Sequence, residues 1–274
     1  MTNLLNVESV LFYLVIGCYF AATILYFLFI VLKKDGVGKA AALVQALGLL
    51  VHTAALVCRG LGAGRLPLTN QYEFAASFAW GLSLVSLIFL WKFKFPMIGA
   101  FAAPVILLLL GYAALQSREV KALMPSLNSG WLGIHVSTAI IAYGSFGVSF
   151  VLGLIFLLRE RMKDRSFWDR HVPSREKLDL IAYRSVCLGL LFLTFTIITG
   201  AIWAESAWGS YWSWDPKETW SLVTWLIYAA YLHLRIRRGW KGKAAAVFAV
   251  AGFACVIFTY IGVNTLLPGI HSYA

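Results

Sequence analysis

The chain has 274 residues, 61% of them hydrophobic and 13% charged, with a formal net charge of +11. Apolar runs of about 18 residues or more recur along it, which excludes an ordinary soluble globular domain and describes an all-α, polytopic membrane protein. The basic excess sits at span ends and in short loops rather than on one folded surface, so it reads as a topology signal and not as a nucleic-acid-binding patch.

Eight helical spans are predicted in chain order, at roughly 10–32, 40–58, 72–91, 96–115, 131–158, 181–203, 216–238 and 244–267. Each is long enough to cross a hydrocarbon core of ~30 Å at about 1.5 Å rise per residue. The first follows MTNLLNVESV directly, with no upstream basic residue and no small-residue cleavage site. It is therefore expected to be a retained span, with the mature chain starting near Met1. Loops after spans 1, 3, 5 and 7 carry Lys33, Lys34 and Lys39, then Lys92 and Lys94, then the run from Arg159 to Arg184, then Arg235 to Lys243. Together they hold eighteen of the 23 Lys and Arg residues. By the positive-inside rule these loops are cytoplasmic, and both termini lie on the outer side. The whole, 1–274, is expected to be a single membrane-embedded helical domain.

Within this frame, Asn70 and Glu73 in RLPLTNQYEF are spaced as a helix cap and its N3 acid. Gly144 and Gly147 in span 5 point to close helix packing. The connector from Arg159 to Asp179 reads as solvated, with a short interfacial helix as a further option, and it holds His171. Cys18, Cys58, Cys187 and Cys255 lie in different spans and form no CxxC pair, which argues against a redox dithiol or a zinc site. The absence of CxxCH means that the chain does not itself carry covalently attached haem.

Between spans 6 and 7 runs WAESAWGSYWSWDPKETWSLVTW, Trp203 to Trp225, which holds six of the eleven tryptophans. An interfacial aromatic belt supplies about one or two rings per span end. The outer segment at about 203–220, with Trp203, Trp208, Trp212, Trp214 and Trp220, exceeds that and makes a surface suited to a planar apolar cofactor. Asp215 can cap the helix that follows, Pro216 suits its first position, and Glu218 stands three residues after the cap, the pattern of a capping box. Asp215 is then either purely structural or also in contact with a ligand.

Two histidines fall on the tryptophan side: His135 at the outer start of span 5, and His271 beyond the Pro268-Gly269 break after span 8. Two neutral imidazoles converging from opposite directions are what a six-coordinate haem iron takes. His233 lies ~25 Å into the span that starts at Pro216, where an ionisable group is expected to face the bundle interior. His52 lies roughly 10 Å from the outer end of span 2 by the same rise. At that different height it does not match His233, and it is expected to be a core histidine bonded to a nearby polar group. Asn264 in GVNTLLPG is a candidate to orient the chain that bears His271.

The motifs WGSYWSWDPKETWSLVTWLIYAAYLHLR and YIGVNTLLPGIHSYA resemble the CcsA/ResC family, called CcsB in some bacteria, of System II cytochrome c biogenesis, whose members handle haem through a WWD domain. CcmC and CcmF share the W-x-W-D core, whereas the DPKETW continuation, His233 in YLHLR and the terminal HSY resemble CcsA. The resemblance implies that haem b is carried across the membrane as a substrate and held at the outer WWD site by His135 and His271. It assigns His233 to a transmembrane haem site whose second ligand comes from a ResB/CcsB-type partner. It also implies an apocytochrome c with CxxCH as the second substrate, a thioredoxin-like protein that keeps its thiols reduced, and residence in a bacterial cytoplasmic membrane, or a thylakoid membrane for a plastid-derived chain.

The activity implied is that of a holocytochrome c synthase (haem lyase), in which the chain mainly positions haem. No acid or base for the addition stands out, and Asp215 is a weak candidate. Lys217, Arg118 and Lys121 are the outer cations available to haem propionates. The competing classes are a haem exporter without synthase activity and a membrane b-type redox subunit.

Overall fold

The computed structural model describes residues 2–120, 129–159, 165–267 and 269; Lys121 and His271 lie outside the described residues. Ten α-helices are present among them and no strand: α1 (Thr2–Leu32), α2 (Asp35–Ala63), α3 (Gln71–Phe93), α4 (Pro96–Ala114), α5 (Gly130–Arg159), α6 (Arg165–His171), α7 (Arg175–Trp208), α8 (Pro216–Arg238), α9 (Lys243–Ile257) and α10 (Val263–Leu266). A π-turn, Phe258–Gly262, joins the last two. The expected all-α polytopic architecture is present, one long helix for each predicted span. Among the described residues seven spans are long and apolar enough to cross a membrane. The eighth helix, α8, has the 23 residues of α3 but carries Lys217, Glu218, His233 and three arginines in its last turn. Helices overrun the predicted spans at several ends, most at α1, which starts at Thr2, and at α7, which continues to Trp208.

The helices form two compact units, residues 1–120 with 163–173, and residues 121–162 with 174–274. In the first, α1 buries Phe12, Val15, Tyr19, Ala22, Tyr26 and Phe29 at alternating steps of three and four. On α2 the matching stripe is Gly38, Ala41, Gln45, Gly48, His52, Ala55, Arg59 and Gly62. Both stripes repeat every 3.5 residues, so the two helices pack as a coiled-coil pair with large rings on one and small residues on the other. Tyr26 extends further and meets α4 at Gly99, where any side chain would overlap its hydroxyl. The Tyr26 hydroxyl donates to Gln45 Oε1 (2.8 Å), and Gln45 Nε2 donates to Ser86 Oγ (2.9 Å), so this interior amide is satisfied across three helices.

At the end of this unit where α1 begins, Glu73 is 0% exposed and forms a hub. Its Oε1 accepts from Arg59 Nε (2.9 Å), and its Oε2 from Arg65 Nη1 (2.7 Å) and the Thr69 amide (2.9 Å). Asn70 caps α3 as expected, accepting from the Glu73 amide at 2.8 Å. Glu73, spaced as a capping-box acid, instead spends its carboxylate on the two arginines. Arg118 packs its guanidinium over the Phe12 ring (4.6 Å) and pairs with Glu8, which also accepts from the Tyr72 hydroxyl.

The 159–179 connector contains a short helix, α6, as the sequence allowed, but it is not the solvated stretch expected. Phe167 of α6 is buried 5.3 Å from the Phe29 ring, and Trp168 and Val172 are buried beside it. The His171 side chain is only 10% exposed, with Nε2 2.7 Å from Asp35 Oδ1 and Nδ1 2.8 Å from the Phe167 carbonyl. The aromatic pair of α6 outweighs its flanking charge, and burial of those rings carries His171 in with them.

In the second unit α5 packs on α7 and α9. Phe146 of α5 stacks on Tyr228 of α8 at 3.7 Å and 3°, and Phe150 on Phe253 of α9 at 4.7 Å. At the Arg238 end of α8, Asp179 accepts from Arg235 through both oxygens (2.9 and 2.5 Å) and from the Gly242 amide (2.9 Å). This carboxylate ties α7, α8 and the α8–α9 turn together.

Glu73→Ala is expected to destabilise the protein by about 3–5 kcal/mol, because it strands the buried Arg59 guanidinium and the half-buried one of Arg65. Denaturant unfolding of the purified protein in detergent measures it; a loss under about 1 kcal/mol would mean that Arg59 and Arg65 are held by other groups.

Candidate functional site

The site grows from the end of α7. Thr196, Gly200 and Trp203 fall at i, i+4 and i+7, one face of the helix, and the His135 ring of α5 lies against that face. His135 Nδ1 is 2.8 Å from the Thr196 carbonyl oxygen. The Thr196 hydroxyl donates to Thr138 Oγ1 (3.1 Å) one turn along α5, a second link between the same helices. The Trp203 ring, 2% exposed, lies 5.9 Å from the imidazole at 31°, and Trp208 meets Trp203 edge-on at 5.2 Å. Trp203 and Trp208 are thus the last turns of α7 rather than loop residues.

Gly209, in the left-handed conformation (φ 75°), ends α7 by returning its amide to the Glu205 carbonyl. The following turn is fastened to α8 by the capping box expected from the sequence. Asp215 Oδ1 accepts from the Lys217 amide (2.9 Å), while Glu218 Oε2 accepts from the Asp215 amide (3.3 Å) and from the Ser213 amide (2.8 Å). Between the two anchors Trp214 adopts φ 59° and is 69% exposed. A left-handed backbone at a bulky aromatic residue costs of order 1 kcal/mol or more. The caps on either side hold it there, with its indole outward and edge-on to Trp212 at 5.7 Å. The Trp212 indole nitrogen is buried and has no hydrogen-bond partner among the described residues.

Trp220 lies within α8 and packs on Phe258 of the π-turn at 4.3 Å. Thr259 of that turn donates to the Trp220 carbonyl (3.2 Å) and is 2.9 Å from Thr224 Oγ1. The chain leaving α10 returns to the capping box: a side chain at Gly269 would overlap Asp215 Oδ2 and approach Pro216 Cδ to 3.1 Å. Asn264, expected to orient this segment, donates to the Tyr260 carbonyl of the preceding π-turn (2.6 Å).

The other sequence candidates lie elsewhere. Lys217 is half-buried at the start of α8, and its ammonium makes no hydrogen bond or ion pair among the described residues. Arg118 is engaged by Glu8 and the aromatic rings of the first unit. His233 is exposed, not turned inward as its depth suggested. Thr224, Tyr228 and Tyr231 occupy the inward face of α8, and a residue two positions past Tyr231 points about 200° away around the helix. His52 is buried, but neither ring nitrogen has a hydrogen-bond partner among the described residues, so it lacks the polar contact expected for it. It shares a narrow pocket of the first unit with Glu8, Arg59, Tyr72 and Glu73. Sequence reading missed Thr196, which contributes only a backbone carbonyl. It also missed Gly200, whose signal was a glycine inside a helix three residues before a tryptophan.

The profile of the family described as cytochrome C assembly protein matches residues 68–271, a range that includes every residue of this site. A cytochrome c biogenesis protein CcsA of Prochlorococcus marinus is 40% identical over 248 residues, covering 80% of this chain and 78% of that protein. Its counterpart in Parasynechococcus marenigrum is 36% identical over 299 aligned positions, covering 97% and 98%. Among solved structures, the cytochrome c haem lyase CcmF superposes with a TM-score of 0.72 at 15% identity over 94% of this chain, which spans 47% of that protein's length. At that identity the likeness is one of fold. The fold is that of a polytopic membrane protein, and the family match makes it one of cytochrome c assembly. Within that class the chain belongs to the CcsA/ResC family of System II cytochrome c biogenesis.

If Asp215 acts as a cap, Asp215→Asn keeps the acceptor and the stability, while Asp215→Ala loses about 1 kcal/mol. Thermal unfolding of the two variants checks this, and an equal loss in both would assign the turn to the charge rather than to the acceptor.

Proposed function

We propose that this chain is the haem-handling subunit of a cytochrome c synthase (haem lyase). It carries haem b across the membrane and presents it at the outer tryptophan segment for thioether attachment to the CxxCH of apocytochrome c. The observation that carries this reading is the setting of His135. A carbonyl oxygen only accepts, so the contact with Thr196 makes Nδ1 the protonated nitrogen and leaves the lone pair on Nε2. Backbone carbonyls fix axial imidazoles in this way, setting tautomer and ring plane and raising basicity.

His271 is the second axial ligand in this reading, and the approach of Gly269 to Asp215 two residues earlier supports it. Trp214 offers an outward indole face to the macrocycle, Trp203 and Trp208 back the imidazole, and Trp212 and Trp220 stiffen the turn. Lys217 is the cation for a propionate, whereas Arg118 is already committed to Glu8. Asp215 acts by holding the segment in place. In the addition, the thiol sulfur bonds to the vinyl carbon next to the ring and the thiol proton goes to the terminal carbon, with no net oxidation. The thiols must therefore arrive reduced, through a thioredoxin-like protein. What the chain supplies is proximity, which reaches about 7–11 kcal/mol for well-oriented partners.

The exposed face of α8 is where His233 would meet a histidine of a ResB/CcsB-type partner at a transmembrane haem site. The charge asymmetry supports an orientation with both termini and the tryptophan segment outside a bacterial cytoplasmic membrane, or on the equivalent face of a thylakoid membrane. A haem exporter would share the binding features, and covalent product separates it from a synthase.

His135→Gly is expected to alter the absorbance spectrum and reduction potential of bound haem, with external imidazole restoring both; unchanged values would remove His135 as a ligand. Co-expression of this chain, its partner and a CxxCH apocytochrome is expected to give covalent haem on denaturing gels. Covalent product in the absence of this chain would end the synthase reading.

A further inference from the structure

We propose that Gly200 is a positioning residue for the outer haem site: by lacking a side chain it opens the notch on α7 in which the His135 imidazole sits. The inference rests on the reading of His135 as an axial ligand and adds a residue that neither the tryptophan motif nor the histidines indicate.

The imidazole is held from three sides by one face of α7. Thr196 supplies the carbonyl at 2.8 Å from Nδ1, Trp203 supplies a ring 5.9 Å away at 31°, and Gly200 lies between them. A Cβ at position 200 would stand 2.8 Å from Cε1 and 2.8 Å from Nδ1. Carbon atoms in contact keep about 3.5–4.0 Å, so the ring would retreat by several tenths of an ångström at least. One of the two atoms struck is the nitrogen bonded to Thr196. Making room therefore strains that bond, and the Trp203 ring 5.9 Å away limits the directions in which the imidazole can turn. Metal–ligand distances tolerate only about ±0.2 Å, so a displacement of this size takes Nε2 out of register with iron.

Helix propensity runs the opposite way. Glycine inside a helix is less favourable than alanine by about 1 kcal/mol, and Gly200 lies eight residues before the end of a 34-residue helix. Replacement by alanine thus strengthens the helix locally while removing the notch, which separates loss of ligand geometry from loss of fold. The rival role for a small residue here is close packing of α5 on α7, and that role would not depend on the imidazole.

The test is a double-mutant cycle on the full chain co-purified with its partner: Gly200→Ala, His135→Gly and the two together. Haem retained per polypeptide, the reduced-state spectrum and the reduction potential are read with and without external imidazole. Gly200→Ala is expected to shift the spectrum in the same direction as His135→Gly and to cut haem retention about tenfold or more, the usual effect of losing an outer-shell partner. The double variant is expected to be no worse than His135→Gly alone. Wild-type retention and spectrum in Gly200→Ala would overturn the proposal. So would an equal loss on adding Gly200→Ala to the His135→Gly background, which would assign the glycine to helix packing. An unchanged spectrum in His135→Gly would instead remove the axial-ligand reading on which the proposal stands.

Discussion

A polar group taken out of water is costly unless it finds a partner within the chain. Three carboxylates in this protein show what that constraint builds. Glu73 gathers Arg59, Arg65 and the Thr69 amide; Asp179 gathers Arg235 and the Gly242 amide; Asp215 closes the start of α8. Each sits at a helix end, where orphan amides and carbonyls collect, and each joins elements that apolar packing alone would leave free to slide. Side-chain hydroxyls meet the same requirement along the helices. Thr194 and Thr224 return their protons to the carbonyl four residues back, and their oxygens then accept or share a bond with a neighbouring element.

The two units meet the demand for close packing differently. In the first, a 3.5-residue stripe of rings on α1 meets small residues on α2, so specificity lies in the alternation of size along a single seam. In the second, aromatic pairs such as Phe146–Tyr228 span different helices, and where α5 meets α7 glycines make room for rings, Gly189 for Phe146 and Gly200 for His135. An imidazole fits there with its polar edge on a backbone carbonyl. A larger side chain in place of Gly200 would close that seam.

What the sequence made legible was whatever is local or periodic. The long helices follow from apolar runs that admit no other structure in lipid, and the capping box follows from Asp215, Pro216 and Glu218 standing within four residues. Pairings through space were not legible. Glu73 and Arg59 are 14 positions apart, and Glu8 reaches Arg118 across 110. His171 seemed solvated because its neighbours in sequence are charged, yet Phe167 and Trp168 carry it inward. The place of His233 along its helix was readable from counting, whereas its direction was set by Tyr228 and Tyr231 claiming the inner face. The Thr196 carbonyl could not be foreseen, because every residue has one and only tertiary packing decides which of them meets a ring nitrogen.

The tryptophan segment joins these threads. A left-handed Trp214 is unfavourable in isolation, and an exposed indole beside a membrane gains little by being fixed. Both costs are borne by a turn that is clamped on each side, by the Gly209 cap of α7 and by the box at Asp215, and crossed by the chain at Gly269. A loop needing only to connect two helices would relax into a wider path with its rings folded down. This one is stiff where it is exposed and strained where it is aromatic. A turn held in this way has little ordering entropy left to lose on binding, which is what the proposed presentation of haem would require of it.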